Sequence, residues 1–163
     1  PEIAFKINKT ITSPLTYAQA LESISDISAT MEILDSRYAQ FKYFSMEDVI
    51  ADNSSSSHFV CGPWVPFKSI DQFKDSRLEM FVNGELAQSG EAKEISGDPV
   101  QSLVQLSVLL AENNRQIPED SIVLAGAATA AVELKNNQIV ELKITGPHGA
   151  LPSVSLHIKG PSL

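Results

Sequence analysis

The chain has 163 residues, 43% hydrophobic and 20% charged, which is the size and balance of one globular domain able to bury a core. Twelve basic against twenty acidic side chains give a net charge of −8 with no Lys/Arg run, which argues against a nucleic-acid partner. Cys61 is the sole cysteine, so neither a disulfide nor a thiolate zinc site is available. No apolar stretch approaches the ~18 residues of a membrane span, and no signal peptide opens the chain, so the expectation is a cytoplasmic protein with no membrane partner. An anionic substrate would need a local positive centre, which a bound metal would supply.

In chain order, residues 3–7 alternate apolar and polar side chains around Phe5, as a strand does. Thr16 begins a capping box with Gln19, and Tyr17, Leu21, Ile24 and Ile27 follow at helical spacing, predicting a helix that stops before Met31. Residues 31–35 read as a short strand. Ser45 caps a short helix through about Ala51. Asn83-Gly84 is a type I′ hairpin signal between strands at Arg77–Val82 and residues 85–88. Asp98-Pro99 places an N-cap before a proline at the first helical position. Val100, Leu103, Val104 and Leu110 then form the buried stripe of a helix ending near Asn113. Strands are predicted at residues 121–125, 129–134, 138–145 and 153–158, with a longer loop over residues 146–151. The class is α+β, dominated by β.

Nucleophilic catalysis has little support. There is no G-x-S-x-G elbow, no Walker loop and no dinucleotide fingerprint. His58 lies three residues before Cys61, one helical turn, but nothing else there suggests an activated thiol, and His157 reads as an outward-facing strand residue. The carboxylates say more. Glu32 interrupts an apolar strand, where it is either solvent-facing or held inward by a cation. Asp35-Ser36-Arg37 fits an ordinary ion pair at a strand end, and Asp52-Asn53 with four serines after it reads by itself as a loop.

Pro1-Glu2-Ile3-Ala4-Phe5, Glu32 before Leu34-Asp35-Ser36-Arg37, Ala51-Asp52-Asn53-Ser54-Ser55-Ser56, the stretch 126–132 and Ser153-Val154-Ser155 occur in an order that resembles the fumarylacetoacetate-hydrolase superfamily. The branch they are most similar to is the 2-oxo-acid hydratases and decarboxylases of aromatic catabolism. The resemblance implies a mixed β roll or barrel with peripheral helices, residues 1–163 being the C-terminal catalytic domain. It implies one Mg²⁺ or Mn²⁺ held by Glu2, Glu32 and a glutamate immediately before Pro1, with an upstream segment carrying further catalytic groups. Arg37 and Lys42 are then candidates for substrate carboxylates, and Asp52, Asn53, Ser55, Ser56 and Thr129 for the substrate pocket and its support.

Phe41-Lys42, the serine run and Ala127-Ala128-Thr129-Ala130-Ala131-Val132 resemble the decarboxylase pattern, in which 2-oxohex-3-enedioate (4-oxalocrotonate) loses CO₂ to give 2-hydroxypenta-2,4-dienoate. The alternatives are hydration of that dienoate or a non-catalytic assembly subunit. A small-molecule 2-oxo dicarboxylate, a homo-oligomer and association with a partner hydratase are implied in the same way. The family's Leu-Gly-Ser-Val-Ser is Leu151-Pro152-Ser153-Val154-Ser155 here, a lost glycine that bears on a loop beside the site.

Overall fold

The computed structural model describes residues 1–159. Among them the elements run β1 (Glu2–Ile7), α1 (Tyr17–Glu22), β2 (Ile24–Leu34), α2 (Met46–Ala51), β3 (Ser56–Cys61), β4 (Val65–Pro66), β5 (Arg77–Val82) and β6 (Glu85–Glu91). They finish with α3 (Pro99–Glu112), β7 (Ile122–Leu124), β8 (Ile139–Gly146) and β9 (Gly149–His157). Two sheets carry the architecture. One has the order β3-β2-β1-β7, with β4 also pairing β2; the other is the antiparallel order β6-β5-β8-β9. They meet where β2 lies against β8 and β9.

The interface between the sheets is the core. Ile3, Phe5, Ile27 and Ala29 of the first sheet are fully buried, as are Leu78 and Leu142 of the second, and Val154 nearly so. Phe73, from a 3₁₀ turn after β4, closes one side with its ring 5.8 Å from that of Phe5. At the periphery α1 packs on α3, tied by the Leu15 N–H donating to Ser107 Oγ at 2.9 Å and the Tyr17 hydroxyl donating to Asp98. Burial and the Asp98 carboxylate together push the Tyr17 hydroxyl well above the ordinary tyrosine range.

The β-dominated α+β class is as the sequence indicates, and so are β1, the capping boxes at Thr16 and Ser45, α3 with its Asp98 cap, and the Asn83-Gly84 hairpin. Three local expectations are corrected. The first helix ends at Glu22, and Ile24 and Ile27 belong to an eleven-residue strand that absorbs residues 31–34. Their spacing suits a helix, but β-branched side chains between two partner strands satisfy the β ladder better. The expected loop over residues 146–151 is a two-residue turn at Pro147-His148, with Gly146 of β8 facing Gly149 of β9 across the ladder and Gly149 at φ 128°. Residues 129–134 join no ladder.

Two strands, β3 and the two-residue β4, go beyond the predicted elements. β3 carries Ser56, Ser57 and His58 at the sheet edge, where polar residues look like loop. As a strand it turns residues three apart to opposite faces, so His58 and Cys61 form no catalytic pair. Before it, Asn53, Ser54 and Ser55 hold left-handed φ angles of 52°, 51° and 59° in succession.

Candidate functional site

Strand register brings the two expected metal-ligating glutamates together. Glu2 sits opposite Thr30 in the β1–β2 ladder, and Glu32 lies two residues beyond Thr30. The period of two turns all three to one face and makes Glu2 and Glu32 diagonal neighbours. Glu2 is only 3% exposed, and its Oε2 accepts the Gly126 N–H at 2.8 Å. Burial raises the Glu2 carboxyl above the ordinary glutamate range; the Gly126 N–H pulls it back in part, and repulsion by Glu32 raises it further.

A cleft of about 770 Å³ opens at this pair. One wall is residues 31–35 and the other is Ala127 with residues 129–134; Met80, Val140 and Leu156 of the second sheet contribute apolar surface. Gly126 and Ala128 are tied to the first strand, Gly126 through Glu2 and Ala128 by its N–H donating to the Pro1 carbonyl at 3.0 Å. Behind this loop stands Gly90 of β6. A Cβ there would collide with the Ala128 carbonyl and the Thr129 methyl, so glycine lets the second sheet back the loop closely.

The donor set suits a hard divalent cation. Two carboxylates converge where one is already short of positive charge, and oxygen ligands with open positions are what Mg²⁺ or Mn²⁺ takes. Among the described residues no group of three or more His, Cys, Asp or Glu side chains that could hold a metal ion is found, so Glu2 and Glu32 stand as a pair.

Arg37, Asp52, Ser55 and Ser56 gather in a second cluster beside the cleft. Asp52 is 1% exposed and accepts hydrogen bonds from Ser36 Oγ (2.7 Å), Tyr43 OH (2.6 Å) and the Arg37 N–H (2.9 Å). Arg37 Nε adds an ion pair at 2.6 Å. Burial alone would raise the Asp52 carboxyl, but those hydrogen bonds and the guanidinium outweigh it and hold the group at about 2. Arg37 also donates to the carbonyls of Asp35 and Ser56, so its guanidinium braces the loop. The buried Ser55 accepts the Asp35 N–H at its carbonyl. Lys42 and Asn53 are exposed. Glu2, Glu32 and Thr129 therefore line the cleft, while Arg37, Lys42, Asp52, Asn53, Ser55 and Ser56 do not.

Asp35, Phe41 and Glu133 also line the cleft without having been singled out for it. Asp35 carried a signal in its Asp-Ser-Arg run. Gly126 opened the stretch 126–132 that carries the resemblance, but Gly90 had no signal, because its role depends on the loop that lies against it.

This fold and site define a class: residues 1–154 match the fumarylacetoacetate (FAA) hydrolase C-terminal family, and the chain belongs to it. It is 39% identical over 135 residues to 4-oxalocrotonate decarboxylase of Pseudomonas sp, covering 83% of this chain and 52% of that protein. It is 26% identical over 146 residues to 2-keto-4-pentenoate hydratase 1 of Dechloromonas aromatica, covering 89% of this chain and 55% of that protein. The solved 4-oxalocrotonate decarboxylase from Pseudomonas putida G7, complexed with magnesium and adipate, superposes with a TM-score of 0.87 at 30% identity. That superposition covers 96% of this chain and 58% of the other. The chain thus spans about half the length of the relatives it matches.

Proposed function

We propose that this chain is the catalytic half of a divalent-metal-dependent lyase acting on 2-oxo acids, and that its reaction is loss of CO₂ from 2-oxohex-3-enedioate. The observation that carries the reading is the Glu2–Glu32 pair on one sheet face at the head of the cleft. The 39% identity to a 4-oxalocrotonate decarboxylase supports the choice of reaction, and the magnesium and adipate of the solved relative support a metal and a six-carbon dicarboxylate.

Glu2 and Glu32 would hold the cation, Glu2 oriented by the Gly126 N–H. Once bound, a divalent ion supplies Lewis-acid polarisation of the substrate's 2-keto oxygen. Ala127 and Thr129 flank the metal end, and the apolar wall of Met31, Met80 and Leu156 keeps water from the carbon chain. The bond to the distal carboxylate breaks, its electron pair moves through the double bond to the keto oxygen, and CO₂ leaves. Protonation of that oxygen gives 2-hydroxypenta-2,4-dienoate. The Asp52 cluster positions residues 35–43, and with them Asp35 and Phe41 at the cleft wall. Arg37, Lys42, Asn53, Ser55 and Ser56 act from this neighbouring loop in the same reading.

A hydratase is the second reading, favoured by the hydratase relative and by apolar walls that suit a short diene tail. We place the protein in the cytoplasm as a homo-oligomer able to associate with a partner hydratase. Among the described residues no helix is long and apolar enough to cross a membrane.

The test offers 2-oxohex-3-enedioate and 2-hydroxypenta-2,4-dienoate separately, with Mg²⁺, Mn²⁺ or chelator, to the purified protein. CO₂ release should exceed diene loss and stop with chelator. Glu32→Ala should weaken metal binding by at least ~100-fold, the upper end of what losing a supporting group alone costs. Activity indifferent to chelator, or metal affinity unchanged in Glu32→Ala, would remove the metal mechanism.

A further inference from the structure

The turn over residues 36–43 carries an aromatic ring that neither its backbone nor the core accounts for. Both feet of the turn are tied to Asp52, the first by Ser36 Oγ and the Arg37 N–H, the second by the Tyr43 hydroxyl. The Tyr38 and Tyr43 rings stand 5.2 Å apart, and the Tyr38 hydroxyl donates to Asp48 at 2.9 Å. This frame presents its tip, where Gln40 and Phe41 hold left-handed φ angles of 60° and 55° in succession.

Such a backbone suits glycine or asparagine, and a bulky side chain there is strained. Burial does not explain the choice either, since Phe41 is 51% exposed. Strain of this kind persists only where the surrounding structure over-determines it, and it gathers at ligand clamps and active sites. Phe41 is at such a place, because it lines the cleft with Leu34 on the wall that includes Glu32. Leu34 ends β2 two residues past Glu32, about 7 Å along the strand. The turn springs from that end, so Phe41 enters the cleft from the side away from Glu2. The opposite wall adds Val132 and Leu134.

We propose that Phe41 is a specificity-determining residue: its ring, held out by the strained turn, packs on the carbon chain of the bound 2-oxo acid beyond the keto group. The site then takes 2-oxo acids with an extended chain over the shortest ones, which reach the metal end but not the ring. The inference rests on the metal-dependent reading of Glu2 and Glu32, and adds to it the residue that senses chain length.

Isothermal titration of the purified protein in the presence of Mg²⁺ tests it with oxalate, 2-oxoadipate and 2-oxohexanoate. Oxalate chelates a metal and ends there. The other two carry the chain, one with and one without a second carboxylate, and neither has the double bond through which decarboxylation would proceed. Phe41→Ala should weaken both longer acids by at least about tenfold and leave oxalate within about twofold. Phe41→Leu, which keeps an apolar side chain, should lose less. Phe41→Gly should lose as much affinity as the alanine variant while unfolding at the same or a higher urea concentration, because it removes the strain along with the ring. Unchanged affinity for the longer acids, equal weakening of oxalate, or a loss of stability in Phe41→Gly in step with the loss of affinity would overturn the proposal. So would weakening confined to 2-oxoadipate, which would make the second carboxylate, and not the chain, the group that residue 41 senses. Oxalate that fails to bind the parent protein would remove the metal reading itself and this inference with it, a result distinct from all the others.

Discussion

The two ends of the β1–β2 pair are built on opposite principles. At the inner end Ile3, Phe5, Ile27 and Ala29 are fully buried and paired across the β1–β2 ladder, with β7 beside Phe5 and β4 beside Ile27. At the outer end the same strands carry Glu2 and Glu32, and the loops beyond hold Gln40, Phe41 and residues 53–55 at left-handed φ. Phe44 there is 90% exposed and Ile50 71%. Carboxylate repulsion, backbone strain and bare apolar surface are each unfavourable, and they persist only where surrounding structure over-determines them. The lesson is a division of labour: the inner end supplies the stability, and the outer end keeps charges and strain that a binding site uses.

The largest effect should come from the inner end. Phe5→Ala removes a fully buried ring packed on Phe73 and should cost about 3–5 kcal/mol of unfolding free energy in urea. A cost below ~1 kcal/mol would mean that stability is not concentrated there.

Asp52 sharpens the comparison at the outer end, because its loop is held by charge and hydrogen bonds. A carboxyl held at about 2, against 3.8 as the ordinary value, stabilises the folded state wherever the unfolded group would be ionised. That contribution is present above about pH 4 and drains away as pH falls towards 2. Asp52→Asn should therefore be less stable near neutrality and lose less on acidification. Parallel pH profiles for variant and parent would show that the buried network is not what fixes the loop. Glu2, shifted the other way, is an uncomfortable anion at neutral pH, so Glu2→Gln should stabilise the metal-free chain above the ordinary glutamate range while abolishing its response to Mg²⁺.

How far each end could be read from the sequence follows the same division. The inner end showed itself through alternation in residues 3–7, and the caps at Thr16, Ser45 and Asp98 each act within three residues. Ile24 and Ile27 misled because a spacing of three is helical, and only the pairing of their strand with β1 and β4 overrides it. Glu2 and Glu32 were singled out by resemblance, since nothing in a single strand says that Thr30 aligns with Glu2. Asp52 was noticed as a polar cluster, but its ties to Ser36, Arg37 and Tyr43 span up to 16 residues and needed the fold. Gly90 had no signal, because what forbids a side chain there is the carbonyl of Ala128.

That close approach sets a smaller prediction. Gly90→Ala forces the Ala128–Thr129 backbone away from β6 and should cost about 1–3 kcal/mol, the usual range for overpacking. Because Gly126 and Ala128 tie the same loop to β1, weakened Mg²⁺ binding should accompany the lost stability. Lost stability with metal binding intact would show that Gly90 serves packing alone.

The smallest effect should come from the exposed side of α2, where Met46 and Ile50 stand one turn apart at 69% and 71% exposure with Phe44 beside them. Nothing in the described chain covers these side chains, so replacing one removes almost no burial. Ile50→Ser should shift the unfolding free energy of residues 1–163 by no more than ~0.5 kcal/mol, roughly a tenth of the Phe5→Ala cost, although both remove a large apolar group. A loss above ~1 kcal/mol, read by the same urea titration, would mean that the face is covered in solution. Dependence of that loss on protein concentration would assign the cover to another copy, and the outer end would then contribute to stability through assembly instead of standing apart from it.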